Sequence, residues 1–597
     1  MDPQATGVEK AAAPYGSWES PISADAVFAA EKEVHGLAVA GDGRVLWVET
    51  RPEEGGREVL VKEGASADGG NLDVTPQEFA VGSLAQMYGY GGAFAVQGDV
   101  VVFSNYTDQR LYRQTIGDNS PLPLTPDYGG SVVRFADGVF DPHFSRYVTI
   151  MEDHCKSSNP IATVVAVSTN VAEVNEPTVL VRGNDFYAFP RIDPTEKRMA
   201  WIEWSNPNMS WDKAQLWVGY FSGEGDVQKR ICIAGEDPEF VESPTEPKWS
   251  SKGELFFITD RQNGFWNIHK WVSGDGSFYV EGASATLLVS IAKVTLDEKR
   301  TMATDISIVW SSLDEIKKYT SYFSLPEFME FPTVIPGQHS YAYFYPPHNL
   351  IFQGSSNEKP PLLVRTHGGP TDEARGVLDL SVQYWTSRGW ALVDVNHGGS
   401  AGYGREFRER LLGKWGVVDV NDCCSCATFL VETGRVDGQR LCITGECAGG
   451  FTTLACLAFR QIFKAGASLY GIADLASLRA FARKGDAYYI DNLVGNEQAY
   501  FERSPINFAE RFTCPVILFQ GLEDTVVPPD QARTIYKAIK DKGLPVALVE
   551  YEGEPHVFRK AENIKFTLEQ AMMFFARLVG HFKVADVITP IKIDNFD

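Results

Sequence analysis

Along the first half of the chain, hydrophobic and polar positions alternate in short bursts. A turn of Asp, Gly, Ser or Lys is followed by a brief aromatic and β-branched run, as in GDGRVLWVET after Ala40, QGDVVVFSNY after Val96, DPTEKRMAWIEW from Asp193 and SSKGELFFITD from Ser250. Such runs read as half-buried strands. Each is followed by a second strand ending in a polar turn, as in QLWVGYFSGEGD and NIHKWVSGDG. With Gly43, Gly98, Lys197 and Gly253 as anchors the gaps are 55, 99 and 56 residues, the middle one spanning two periods with FDPHFSRYVTIM between them. A period of about 50 residues predicts four-stranded units that cannot bury their own faces alone, which is the pattern of a β-propeller. Six or seven blades fit the length from about Val34 to Phe323.

After Pro347 the pattern changes. PLLVRTH, WALVDVN, RLCITGE, AGASLYG, CPVILFQ and VALVEYE are nearly continuous apolar runs, as expected of strands covered on both faces. Helical stretches such as VVDVNDCCSCATFLVETG, AGGFTTLACLAFR and PDQARTIYKAIKDKG lie between them. The alternation predicts an α/β-hydrolase domain with a mostly parallel sheet. The expected organisation is a segment of residues 1–20, an all-β propeller over 21–325 and the α/β-hydrolase domain over 330–590, with the first residues packed near the hydrolase.

Composition narrows the partners. The chain has 597 residues, too many for one hydrophobic core. Its formal net charge of −24 repels phosphate backbones and anionic membrane surfaces, so nucleic acid is not an expected partner. Of its 9 cysteines, Cys423, Cys424 and Cys426 crowd one helical pattern without a second Cys/His cluster, which predicts buried free thiols in a reducing compartment and no structural metal. The N-terminus lacks a signal-like apolar region and no apolar run reaches the roughly 18 residues of a membrane span. A cytoplasmic protein without a cofactor, able to form a homo-oligomer, is the expectation.

The candidate chemistry begins where RLCITGE runs into Gly445-Glu446-Cys447-Ala448-Gly449-Gly450 ahead of a helix. Small residues around a central side chain, between strand and helix, form a nucleophile elbow, here with sulfur in place of oxygen. An α/β-hydrolase then needs an acid and a histidine downstream, each beyond a strand. Asp524 follows CPVILFQ and His556 follows VALVEYE. Glu523 is the rival for the acid, and Asp524 is preferred because it lies deeper in the loop.

These residues resemble the prolyl oligopeptidase family of serine peptidases, most closely its plant members related to acylaminoacyl peptidase and dipeptidyl aminopeptidase. The resemblance spans essentially the whole chain. It rests on APYGSWESPI, PNMSWD, HGGPT, NHGGSAGYG, GKWGVVDVND, GECAGG and GLEDTVVPPDQ. It implies a propeller limiting access to a hydrolase site between the domains, reached by a small peptide or small molecule. Four positions depart from the family pattern. Cys447 replaces the serine. His397 stands where a tyrosine hydroxyl usually helps form the oxyanion hole, Val557 follows His556 in place of Gly, and Glu446 precedes the nucleophile where close members tend to have Gly. Four changes around one cavity point to a natural, repurposed site rather than a single laboratory substitution.

In this reading His556, oriented by Asp524, activates the Cys447 thiol. The Ala448 backbone N–H is one oxyanion donor and the His397 ring N–H a second. A thioester favours attack by amines over water, so hydrolysis, acyl transfer and cyclisation all remain open. Glu446 opposes thiol ionisation by like-charge repulsion, and either holds a cationic substrate group, moves a proton or faces solvent. The alternatives are a non-covalent acid–base enzyme of specialised metabolism in an inherited pocket, a catalytically weak binding scaffold, and an ordinary peptidase inactivated by substitution.

Overall fold

The computed structural model describes residues 10–30, 33–65, 70–85, 92–155, 160–172, 174–261, 264–265, 267–269, 277–296, 303–311, 316–482 and 484–597. The turn expected after the strand Asn267–His269 and the first nine residues of the expected N-terminal segment lie outside them.

Among the described residues six small antiparallel sheets follow one another from Val34 to Ser311. Four have four strands and two have three described strands. Within each, consecutive strands are neighbours, because tight polar turns leave no length for a crossover. Each of the first four sheets buries apolar side chains against the next. Leu46, Val48 and Leu60 of the first pack on Val101 and Phe103 of the second, and Ile150, Val164 and Val181 of the third on Tyr187, Met199 and Trp201 of the fourth. The ring closes where Val45, Trp47 and Val59 of the first sheet meet Ile291 and Trp310 of the sixth, with the Trp47 and Trp310 ring centroids 6.2 Å apart. The architecture is a six-bladed propeller followed by an α/β-hydrolase domain.

The hydrolase sheet has eight strands, in the spatial order Glu327–Pro332, His339–Tyr345, Ala391–Asn396, Leu362–Thr366, Leu441–Glu446, Ala465–Leu469, Val516–Gly521 and Val546–Tyr551. The first two join antiparallel, and all pairings from Ala391–Asn396 onward are parallel. The strand order reverses beside Leu362–Thr366, and ligand crevices in such sheets open at the carboxyl ends near that point. One face is covered by the helices Val418–Glu432, Ala448–Phe459 and Asp530–Asp541, the other by Leu380–Thr386 and Ala561–Phe575. Cys423, Cys424, Cys426 and Cys456 lie in the first of these cores as free thiols, with 4.0 Å between the sulfurs of Cys424 and Cys456.

The boundary expected between residues 20 and 21 does not match the packing. Ala11–Ala12 pairs with Phe352–Gln353, and Ile22, Ala24 and Val27 are core residues of the hydrolase. The helix Ala24–Ala30 carries its apolar positions on one face and lays them against the hydrolase, so the segment serving that domain runs to Ala30 and the first blade begins at Val34. Arg388 ties the two together by donating to Asp586 and to the Ile22 carbonyl, with its guanidinium stacked 3.7 Å over Tyr384. Likewise Ile316, Tyr319 and Phe323, inside the span expected for the propeller, are buried in the hydrolase core. Among the described residues no helix is long and apolar enough to cross a membrane.

Candidate active site

The strand Leu441–Glu446 ends at the elbow, and Cys447 takes φ 52° and ψ −116° before the helix Ala448–Phe459 begins. A side chain held there stores about 1–3 kcal/mol of strain. The surroundings leave the turn no alternative: a Cβ on Gly445 would stand 2.1 Å from Thr366 Oγ1, and one on Gly449 2.2 Å from the Thr366 carbonyl. The Cys447 backbone is held by its N–H on the Leu469 carbonyl and by its own carbonyl, which accepts from Phe451. The GKWGVVDVND motif supports this turn from below, since buried Asp419 accepts from Thr452 Oγ1 and from the Gly416 N–H at 2.7 Å each. Burial pushes that carboxyl up to about 6.

Asp524 and His556 come from the ends of the next two loops. Asp524 Oδ1 accepts the N–H groups of Val526 and Val527 at 2.8 Å, which turns Oδ2 toward His556 Nδ1 at 2.7 Å. Glu523 points to solvent, so the residue facing the histidine is Asp524. His556 Nε2 is buried and makes no formed hydrogen bond. Burial opposes charge on this ring, but the charge of an ionised Cys447 and the hydrogen bond to Asp524 outweigh it and push the imidazole up to about 10. The Cys447 sulfur is therefore near enough to the ring to raise it by charge and by a side-chain hydrogen bond, though Nε2 makes no contact of strict hydrogen-bond geometry, the loose arrangement often found before substrate binds. Val557 is exposed at the rim.

We expect the His556 imidazole to titrate near pH 10 in a ring-nitrogen NMR experiment, and Cys447→Ala to move the midpoint down, because the thiolate charge is among the causes that raise it. A folded value above the ordinary 6.5 means that this group favours the folded state fully below about pH 6.5, and that the contribution is lost as pH rises through about 10. A midpoint unchanged by Cys447→Ala would separate the two groups.

The structure corrects the expected role of His397. Its Nδ1 lies 3.0 Å from the Gly398 carbonyl, which can only accept, so the ring proton sits on Nδ1 and is used there. Burial pulls the ring down to about 4, leaving it neutral with Nε2 as an acceptor, and no second proton is available for an oxyanion. The ring stacks on His367, with centroids 4.8 Å apart and planes 19° from parallel. His367 is neutral too, pulled down to about 4 by burial and by His397, with Nδ1 on the Gly368 carbonyl and Nε2 on the Ser400 hydroxyl.

Two residues not singled out from sequence complete the site. A Cβ built on Gly368 would stand 3.7 Å from the Cys447 Cβ, so the backbone of the HGGPT loop lies directly against the nucleophile position. Gly368 thus brings main chain up to the elbow, where Ala448, whose N–H opens the helix, has no intrahelical acceptor. The other residue is Tyr470. Its hydroxyl donates to Glu446 Oε2 at 2.5 Å, and its ring meets His556 at a centroid distance of 4.9 Å. HGGPT was visible as a motif without an assigned role, whereas Tyr470 carried no signal of its own.

A cavity of about 220 Å³ adjoins these loops, between Ser210, Trp211, Ser243 and Thr245 of the propeller and Thr371, Ala401 and Arg408 of the hydrolase. Tyr489 closes its wall, with its hydroxyl 2.7 Å from Thr371 Oγ1 and its ring edge-on to Trp211. The volume is below the roughly 300 Å³ at which ligand pockets usually begin, and suits a group of side-chain size.

Comparison with known proteins agrees with this geometry. The sequence model described as the prolyl oligopeptidase family matches residues 377–582. A puromycin-hydrolyzing peptidase from Mycobacterium tuberculosis superposes with a TM-score of 0.89 at 32% identity, covering 98% of this chain and 100% of that one. The chain belongs to the prolyl oligopeptidase family. Among curated relatives, this family member is 27% identical to the dipeptidyl aminopeptidase BIII of Pseudoxanthomonas mexicana, over 38% of this chain and 34% of that protein. It is 28% identical to the acylamino-acid-releasing enzyme of Arabidopsis thaliana, over 35% of this chain and 30% of that protein. The match therefore spans about a third of the length of these curated relatives.

Proposed function

We propose that this member of the prolyl oligopeptidase family performs acyl chemistry on a small peptide or acylated amine through a Cys447-His556-Asp524 triad. The observation that supports this reading best is the strained elbow presenting Cys447 beside an imidazole held by a buried carboxylate. His556 Nε2 takes the thiol proton, and the sulfur attacks the acyl carbon. The oxyanion forms at the backbone N–H of Ala448, beside the main chain at Gly368, and imidazolium Nε2–H then passes its proton to the leaving group. The thioester that remains is released to water, which restores the thiol, or to an amine, which makes transfer or cyclisation the outcome.

Names of the relatives support an amide-bond substrate of modest size: one hydrolyses puromycin, one releases acylamino acids and one is a dipeptidyl aminopeptidase. The small cavity at the domain boundary is consistent with such a substrate entering between propeller and hydrolase. Incubation with 4-nitrophenyl acetate should release nitrophenolate in a burst and add one acetyl group to the protein, with the label on the peptide carrying Cys447. Prior treatment with iodoacetamide should prevent both. Acetylation elsewhere, with Cys447 unmodified, would refute the reading.

A further inference from the structure

The residue immediately before the nucleophile has a property the triad does not use. Glu446 is exposed at the carboxyl end of its strand while Gly445, Ala448, Gly449 and Gly450 around it are buried. Its carboxylate is held from one side only. Tyr470 donates its hydroxyl to Oε2 at 2.5 Å, and Tyr470 is itself fixed by its backbone N–H on the Phe519 carbonyl and by packing against Phe558. Burial and Glu446 both hold the Tyr470 phenol protonated, so it serves as a permanent donor. Oε1 is left for another partner, and among the described residues no Lys, Arg or His side chain pairs with Glu446.

The charge balance of the site points the same way. With Cys447 ionised, the anions are Cys447, Asp524 and Glu446, and the cation is the His556 imidazolium. His367 and His397 are uncharged beside them. A carboxylate so placed works against the thiolate unless a positive charge lies next to it. Among the described residues no cationic side chain pairs with Glu446, so a substrate is the source that fits.

We propose that Glu446, oriented by Tyr470, is a specificity-determining residue that binds a positively charged group of the substrate flanking the acyl bond opened at Cys447. This rests on Cys447 as the nucleophile. Binding of the cation at Oε1 holds the acyl carbon over the sulfur and removes the like-charge opposition to the thiolate, so a cationic acyl donor is favoured in acylation itself.

The test uses the full chain and two 4-nitrophenyl esters of the same shape, 4-(trimethylammonio)butanoate and 5,5-dimethylhexanoate, which differ by a charged nitrogen in place of a quaternary carbon. The second-order rate of Cys447 acylation, followed by nitrophenolate release and intact mass, should favour the cationic ester by about tenfold or more at low salt. The preference should shrink as salt is raised. Glu446→Gln should remove the preference by lowering the rate of the cationic ester relative to the neutral one, and an unchanged thermal unfolding transition should report that the variant is folded. A preference that survives Glu446→Gln, or an equal loss on both esters, would overturn the proposal and leave the triad intact. If neither ester acylates Cys447 in the unaltered protein, covalent chemistry at Cys447 fails, and this inference fails with it.

Discussion

Cys447→Ala should lower kcat toward acyl substrates by a factor of about 10⁴ or more, the scale on which a triad loses activity when its nucleophile is removed. The change deletes one sulfur from a half-buried position at the edge of the core, and the backbone conformation there is imposed by Thr366, Gly449 and Leu469 rather than by the side chain. Folding should therefore be preserved, and the loss should appear in kcat and in the acylation burst with an unchanged unfolding transition. Full activity in Cys447→Ala would exclude a covalent intermediate and leave His556, His397 and Glu446 as groups for acid–base chemistry. Cys447→Ser separates two further readings. A hydroxyl is a far weaker acid than a thiol and needs stronger base assistance from His556. On a site matched to sulfur the serine variant should acylate more slowly than the parent. Vigorous peptidase activity in Cys447→Ser would identify an ordinary peptidase silenced by a substitution.

Asp524→Asn should reduce kcat by about 10⁴ with little change in fold. Asp524 uses Oδ1 for two backbone N–H groups at 2.8 Å, and an asparagine oxygen accepts both as well. The amide nitrogen then replaces Oδ2, 2.7 Å from His556 Nδ1, and presents a donor where an acceptor stood. The imidazole is driven to the tautomer with its proton on Nε2, which cannot take a proton from the thiol. Loss of the carboxylate also removes one of the causes holding the imidazole near 10, so its titration midpoint should fall in the same variant. Steady-state kinetics and ring-nitrogen NMR on one preparation check both. A variant with normal kcat would show that the acid lies elsewhere.

The blades, the sheet strands, the elbow and the chain order of Cys447, Asp524 and His556 were legible because each is a local pattern. A glycine-flanked residue between an apolar strand and a helix, or a polar turn ahead of a half-buried strand, is written within about ten residues. Asp524 is preferred over Glu523 because it lies deeper in the loop beyond its strand, and in the structure Asp524 is buried while Glu523 is exposed. The role expected of His397 was not local. Its ring proton is claimed by the next residue's carbonyl, in a loop pinned by the Gly398 N–H on Asp422 Oδ2 at 2.8 Å, and that placement depends on the helix Val418–Glu432.

By itself, then, the sequence determined two domains, their classes, and a cysteine at a strand-to-helix elbow with an acid and a histidine downstream in hydrolase order, because periodicity and turn chemistry act over short stretches of chain. Only the tertiary structure decided that residues through Ala30 serve the hydrolase, that the ring closes with Trp47 on Trp310, that Gly368 backs the nucleophile, and that Tyr470 holds Glu446 beside His556. Each of these joins residues far apart in the chain through close packing and shared hydrogen bonds. Which distant groups meet is settled when the whole core forms and not by any segment within it.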